Sequence, residues 1–203
     1  MQYTTALREL VQDRLRHHAR EGIDDPSLRH AAVAVSLVAS DAGEACFLLT
    51  RRASGLRAHR GQWALPGGSL DDGEDAIEAA CRELDEEVGV ADVEVLGCLD
   101  DYPTRSGYRI TPVVVWSPRT PVLRPDPAEV ESVYRIPLTE LDRPDGPRFL
   151  SLDDVTDPVI QVPIHDTLVH APTGAVLYQV REVLLHGRAT RVAHYEEPKF
   201  ARR

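Results

Sequence analysis

Cysteine is scarce in this chain: Cys46, Cys81 and Cys98 are the only three among 203 residues, widely separated and without a CxxC pair. That excludes a disulfide framework and a cysteine-based zinc site, and it suits a reducing compartment. Long apolar runs are also missing. None approaches the roughly 20 residues a membrane helix needs, so no membrane partner is expected. Met1 to Thr5 lead straight into a charged amphipathic pattern, which does not read as a signal peptide. A cytoplasmic location is the expectation. There is no internal repeat and no low-complexity segment. Basic charge is not in excess either: the formal net charge is -10, which argues against a nucleic-acid partner. A small polyanion stays compatible if a metal and local cations reverse the field at one place. Such a chain needs clustered carboxylates and clustered arginines, and it has both.

Hydrophobic residues make up 42% and charged residues 28%, as in ordinary globular proteins with one sizeable core. The spacing predicts an amphipathic helix over 4–20, closed by Gly22 and Pro26. Two buried strands follow at 30–40 and 45–52, and 53–73 reads as mostly loop. Apolar residues every three or four positions predict a helix over 74–88, ended by Gly89. Strand-like runs return at 92–99, 108–116, 130–136 and 159–164, and a last helix is expected over about 173–186. The reading is one α+β domain over 1–203, with an N-terminal helical extension (1–28) and a C-terminal tail (187–203).

On the central helix Glu83, Glu86 and Glu87 stand three and four apart and share one side. Like charges at that spacing destabilise a helix unless compensated, and Arg82 alone cannot balance three. A solvated acidic face is one reading. The other is a hard divalent cation, Mg²⁺ or Mn²⁺, on oxygen ligands. Upstream, Pro66-Gly67-Gly68 makes a tight turn whose backbone can approach a ligand.

The order Gly68, five residues, Glu74, seven residues, Arg82-Glu83-Leu84, one residue, Glu86-Glu87, one residue, Gly89-Val90 resembles the Nudix hydrolase signature at every defined position. The resemblance implies a mixed sheet sandwiched between helices and metal-dependent cleavage of a diphosphate. It implies Glu83, Glu86 and Glu87 as metal ligands, with the Gly68 carbonyl as a further one. Arg82 would orient a glutamate, and Glu74 would be structural or an outer ligand. A bound metal would lower the pKa of a water that attacks phosphorus. The base would be Glu86 or Glu83, or lie on a later loop at Glu129 or Glu131.

Just upstream, Arg51, Arg52, Arg57, His59 and Arg60 concentrate positive charge. They suit a clamp for anionic groups, unless they simply form a solvated loop. Leu48, Leu49, Thr50, Arg52, Arg57, Gly61, Pro66, Gly67 and Gly68 are similar to the motif of the coenzyme A pyrophosphatase branch, with Ala53 and Leu65 departing from it. That likeness runs over about 30–141 and implies coenzyme A as substrate. Arg52, Arg57, His59, Arg60 and Arg105 are the candidate substrate contacts, and Tyr108 lies near Arg105. ADP-ribose, other nucleotide sugars, dinucleotides or damaged nucleotides are the alternatives, and a nucleotide-sensing domain without catalysis is a third. The remaining histidines form no metal-spaced pair. Trp63 and Trp116 read as core or strand residues. The apolar faces of the terminal helices would pack on their own sheet or form a homodimer.

Overall fold

The computed structural model describes residues 1–54, 61–151 and 157–197. Helix α1 (Thr5–His17) is followed by strands β1 (Arg29–Ala39), β2 (Ala45–Arg52), β3 (Trp63–Ala64) and β4 (Gly67–Ser69). Next come helix α2 (Ala76–Val88) and strands β5 (Glu94–Cys98), β6 (Tyr102–Pro103), β7 (Tyr108–Trp116) and β8 (Val130–Pro137). The last elements are β9 (Arg148–Leu150), β10 (Val159–Ile164), β11 (Thr167–His170) and helix α3 (Thr173–Val180). A wider π turn over Arg181–Leu185 extends α3, where the sequence predicts one continuous helix.

The main sheet is mixed. β1 runs parallel to β7 and antiparallel to β2 and β4. Side chains alternate along β1: Ala32, Ala34 and Val38 join Ala80, Leu84 and Val88 of α2 on one face. Val35 and Leu37 face the other way and pack with Leu7, Val11 and Leu15 of α1 and with α3. The sheet is thus sandwiched between helices, as the resemblance implies, within the α+β domain that the spacing predicts. β10 is flanked by β9 and β11 in a second, small sheet. No helix among the described residues is long and apolar enough to cross a membrane.

Two details around the acidic helix also depart from the sequence reading. The 53–73 stretch holds β3 and β4, which are too short to show a period. Helix α2 begins after Asp75 rather than at Glu74. Asp75 accepts the backbone N–H groups of Ile77 and Glu78, and Glu78 accepts that of Asp75, a closed capping box.

Asp100, in the β5–β6 turn and only 3% exposed, ties the ends of the chain to the sheet. It accepts hydrogen bonds from the Glu21 backbone (2.8 Å), from Gln179 Nε2 on α3 (2.6 Å) and from Arg191 (2.8 Å). His18 Nε2 lies 2.9 Å away. Burial alone would raise the Asp100 pKa, but these donors outweigh it and hold the carboxyl below its ordinary 3.8. A lowered folded pKa gives stability that is present above pH 3.8 and lost as pH falls through the folded value. Asp100→Ala is expected to cost about 3 kcal/mol in urea unfolding at neutral pH, because His18, Gln179 and Arg191 lose their shared acceptor. The variant should also show a shallower acid-side fall in stability than the wild type, because Asp100's share of it is gone. A cost under about 0.5 kcal/mol would contradict this role.

Candidate active site

The turn before α2 is built by close approach. β4 pairs with the first half of β1, Ala32 opposite Gly68, and Pro66 C=O accepts the Ala34 N–H (2.8 Å). This pairing lays Gly68 against α2, where an added Cβ would sit 2.3 Å from Glu83 Oε1. Only glycine lets the backbone and the Glu83 carboxylate share that space. At the other end of α2, Gly89 adopts φ 76° and closes the helix.

The segment after β7 returns to the same helix. Arg124 and Asp126 donate their backbone N–H groups to the Val88 and Glu87 carbonyls (2.8 and 3.0 Å). Glu129 C=O accepts the Ala53 N–H (2.9 Å), just past a bulge in β2 at Arg51–Arg52. A bulge re-aims the side chains beside it. Here Arg51 lies 3.7 Å from Glu131 and Arg52 lies 3.9 Å from Glu87. The outcome is a cluster in which carboxylate oxygens of Glu83, Glu87 and Glu129 all lie within 4.8 Å of one another. Glu87 is 3% exposed. Burial pushes its pKa up to about 8, against the pull of Arg52 and with Glu83 and Glu129 adding to the rise. Burial also raises Glu83, opposed by Arg82.

Arg82 is the hub of the helix's outer side. Its guanidinium donates to Glu74 (2.9 and 3.0 Å), Glu83 (2.9 Å), Glu86 (2.9 Å) and the Ser69 carbonyl (3.1 Å). Those carboxylates hold the Arg82 pKa above its ordinary range. Hydrogen bonding to Arg82 in turn lowers Glu74. Glu86, expected among the metal ligands, sits here on Arg82 with its side chain 61% exposed. Glu129, expected as a base on a later loop, is the residue that meets Glu83 and Glu87. These three carboxyl groups form a hard, oxygen-only donor set, which fits Mg²⁺ or Mn²⁺.

Beside the cluster opens a cleft of about 490 Å³, whose lining includes Arg52, Gly67 and Gly68. It forms where β2 and β1 part: β1 pairs with β2 only from Leu37 onward and with β4 before that. Buried Arg52 Nε has no hydrogen-bond partner among the described residues. Of the other expected substrate contacts, Arg57, His59 and Arg60 lie outside the described residues. Arg105 is taken up by a two-pronged ion pair with Glu196, while Tyr108 lines the cleft. Trp63 is half-buried and lines it too, whereas Trp116 stacks on Tyr3 (3.7 Å between centroids). Sequence reasoning passed over Arg29 and Glu197, which also line the cleft. They lie some 170 residues apart with no motif to link them.

A family model described as the NUDIX domain matches residues 28–157. Among curated relatives, the Uncharacterized Nudix hydrolase NudL of Photorhabdus laumondii is 41% identical over 115 residues, 55% of this chain and 60% of that protein. The protein of the same name in Escherichia coli strain K12 is 39% identical over 124 residues, 60% of this chain and 65% of that one. The chain therefore spans less than two thirds of the length of these relatives. Of solved structures, a Nudix hydrolase from M. smegmatis, RenU, superposes with a TM-score of 0.56 at 20% identity, over 77% of this chain and 86% of that one. A MutT/nudix family protein from Enterococcus faecalis gives 0.51 at 20%, over 92% and 77%. These two share the fold. With that architecture, and with the family model covering most of the chain around the acidic helix, the protein belongs to the Nudix family.

Proposed function

We propose that this chain is a metal-dependent pyrophosphohydrolase that cleaves the diphosphate of coenzyme A or of its acyl thioesters. The products are 4′-phosphopantetheine and adenosine 3′,5′-bisphosphate. The observation that carries the reading is the meeting of Glu83, Glu87 and Glu129 beside Gly68, at the edge of a cleft that Arg52 also lines. The choice of coenzyme A rests on the likeness of 48–68 to that branch of the family.

In this reading Glu83, Glu87 and the Gly68 carbonyl hold the metal, joined by Glu86 when it leaves Arg82. Bound Mg²⁺ or Mn²⁺ supplies Lewis acidity at the diphosphate and a water of lowered pKa. Glu129 approaches the cluster from a loop rather than from α2, so it takes the proton of the attacking water. Arg82 fixes the Glu83 carboxylate through its 2.9 Å hydrogen bond. Arg52 contacts a non-bridging phosphate oxygen, which gives its unsatisfied Nε–H an acceptor. Water adds across the P–O–P bridge: one phosphorus gains the water's oxygen as its bond to the bridging oxygen breaks, and the leaving phosphate keeps that oxygen and takes up a proton.

Purified protein with Mg²⁺ or Mn²⁺ is expected to convert coenzyme A to the two named products, identified by mass spectrometry. Fast turnover of ADP-ribose, dinucleotides or nucleoside triphosphates with coenzyme A inert would overturn the substrate. Glu87→Gln should lower kcat at least about a hundredfold, through lost charge stabilisation at the metal, while circular dichroism stays unchanged. An unchanged rate would remove Glu87 from the metal site. Gly68→Ala forces Glu83 aside, so the rise in Tm that Mn²⁺ gives the wild type should shrink or vanish. A full Mn²⁺ response in that variant would speak against the Gly68–Glu83 contact as part of the site.

A further inference from the structure

The cleft beside the carboxylate cluster is not walled by the signature region alone. Its sides are apolar, with Val33, Leu65 and Ile110 from the main sheet region and Val176 from α3. The lining also takes in Thr104, Ser106, Tyr108 and Arg29, and it includes Glu197. Val176 and Glu197 both lie beyond residues 28–157, the part that matches the family model.

Glu197 is 4% exposed, and its Oε1 accepts the Arg105 backbone N–H (3.2 Å). The segment that carries it is firmly tied. Tyr102 Oη donates to the Tyr195 carbonyl (2.7 Å), the Glu196 N–H donates to the Pro158 carbonyl (3.1 Å), and the Glu196 carboxylate holds the Arg105 guanidinium. The C-terminal segment thus places a buried carboxylate on the wall of a mostly apolar cleft. Arg29, its guanidinium 3.9 Å from the Tyr108 ring centroid, lines the same cavity.

A buried carboxylate accepts hydrogen bonds and repels phosphate. A chain lying against it therefore carries N–H or O–H donors and no phosphate of its own, and apolar walls favour methylene and methyl groups. Arg29, on the same lining, supplies donors, so the cleft answers both halves of an amide. Coenzyme A has one arm of this kind, neutral and amide-bearing, and a second arm that bears a phosphate. We propose that Glu197 is a specificity-determining residue that reads the neutral amide arm of the substrate and thereby orients the diphosphate on the carboxylate cluster. This rests on the coenzyme A reading for the identity of the arm. A second cavity of about 410 Å³, which shares Trp63 and Thr173 with the first and includes Arg51 in its lining, then receives the phosphate-bearing arm.

The test uses binding without turnover, so it stands apart from the hydrolysis assay. Pantetheine and adenosine 3′,5′-bisphosphate are titrated separately into the full chain in EDTA, with calorimetric detection. Wild type binds pantetheine saturably. Glu197→Gln weakens it about tenfold, as expected for loss of one charge-assisted hydrogen bond, and does not weaken the bisphosphate. Glu196→Gln frees Arg105 without changing the carboxylate on the wall, and keeps pantetheine affinity within about twofold. Absence of saturable pantetheine binding overturns the proposal, as does unchanged binding in Glu197→Gln. Equal losses in the two variants also overturn it, because they mean that the segment only needs docking. Failure of coenzyme A hydrolysis alongside a selective Glu197 effect would instead count against the metal chemistry or the choice of scissile bond.

Discussion

Three carboxylates crowded around one buried position govern much of this structure. Glu83, Glu87 and Glu129 lie within a few ångströms of one another, and Glu87 is almost wholly removed from water. Without a cation the arrangement is unfavourable, and the pKa of Glu87 near 8 expresses that cost. Nothing about helix stability calls for it. The α2 helix has a complete capping box and a glycine C-cap, so it tolerates a face it would otherwise disfavour. Its stability comes from Ala80, Leu84 and Val88 packed on β1, which leaves the acidic face free for chemistry.

The elements around that face are arranged to bring groups to it from different parts of the chain. Pairing of β4 with β1 delivers Gly68. The bulge at Arg51–Arg52 and the docking of 124–126 on the end of α2 deliver Arg52 and Glu129. The parting of β1 from β2 opens the cleft, which α3 and the C-terminal segment then wall. Asp100 links that segment and α3 to the N-terminal extension, so the most remote stretches of sequence share one buried anchor.

Much of this is legible in the sequence, for identifiable reasons. The α2 helix and the long strands β1, β2, β7 and β8 are each eight residues or more, long enough for an apolar pattern to declare itself. That Glu83 and Glu87 share one side follows from helical spacing, while their reading as metal ligands comes from the resemblance. β3, β4, β6, β9 and β11 are two to four residues long, and no period can be read from so few. Glu86 and Glu129 illustrate a different limit. Spacing places Glu86 on the same helix side as Glu83 and Glu87, but Arg82, four residues back, competes for it. Glu129 reaches the cluster through a strand register and backbone hydrogen bonds that leave no local signal. Glu197 is less visible still, since only tertiary packing carries it to the cleft.

The central claim is that the cluster on α2 binds a divalent metal in the act of diphosphate cleavage. Anomalous diffraction from a crystal of the full chain soaked in Mn²⁺ tests it most directly. The account predicts a manganese peak with Glu83 and Glu87 oxygens at about 2.1 Å, close to the Gly68 carbonyl. Manganese bound elsewhere, with no peak among these carboxylates at saturating metal, would contradict it.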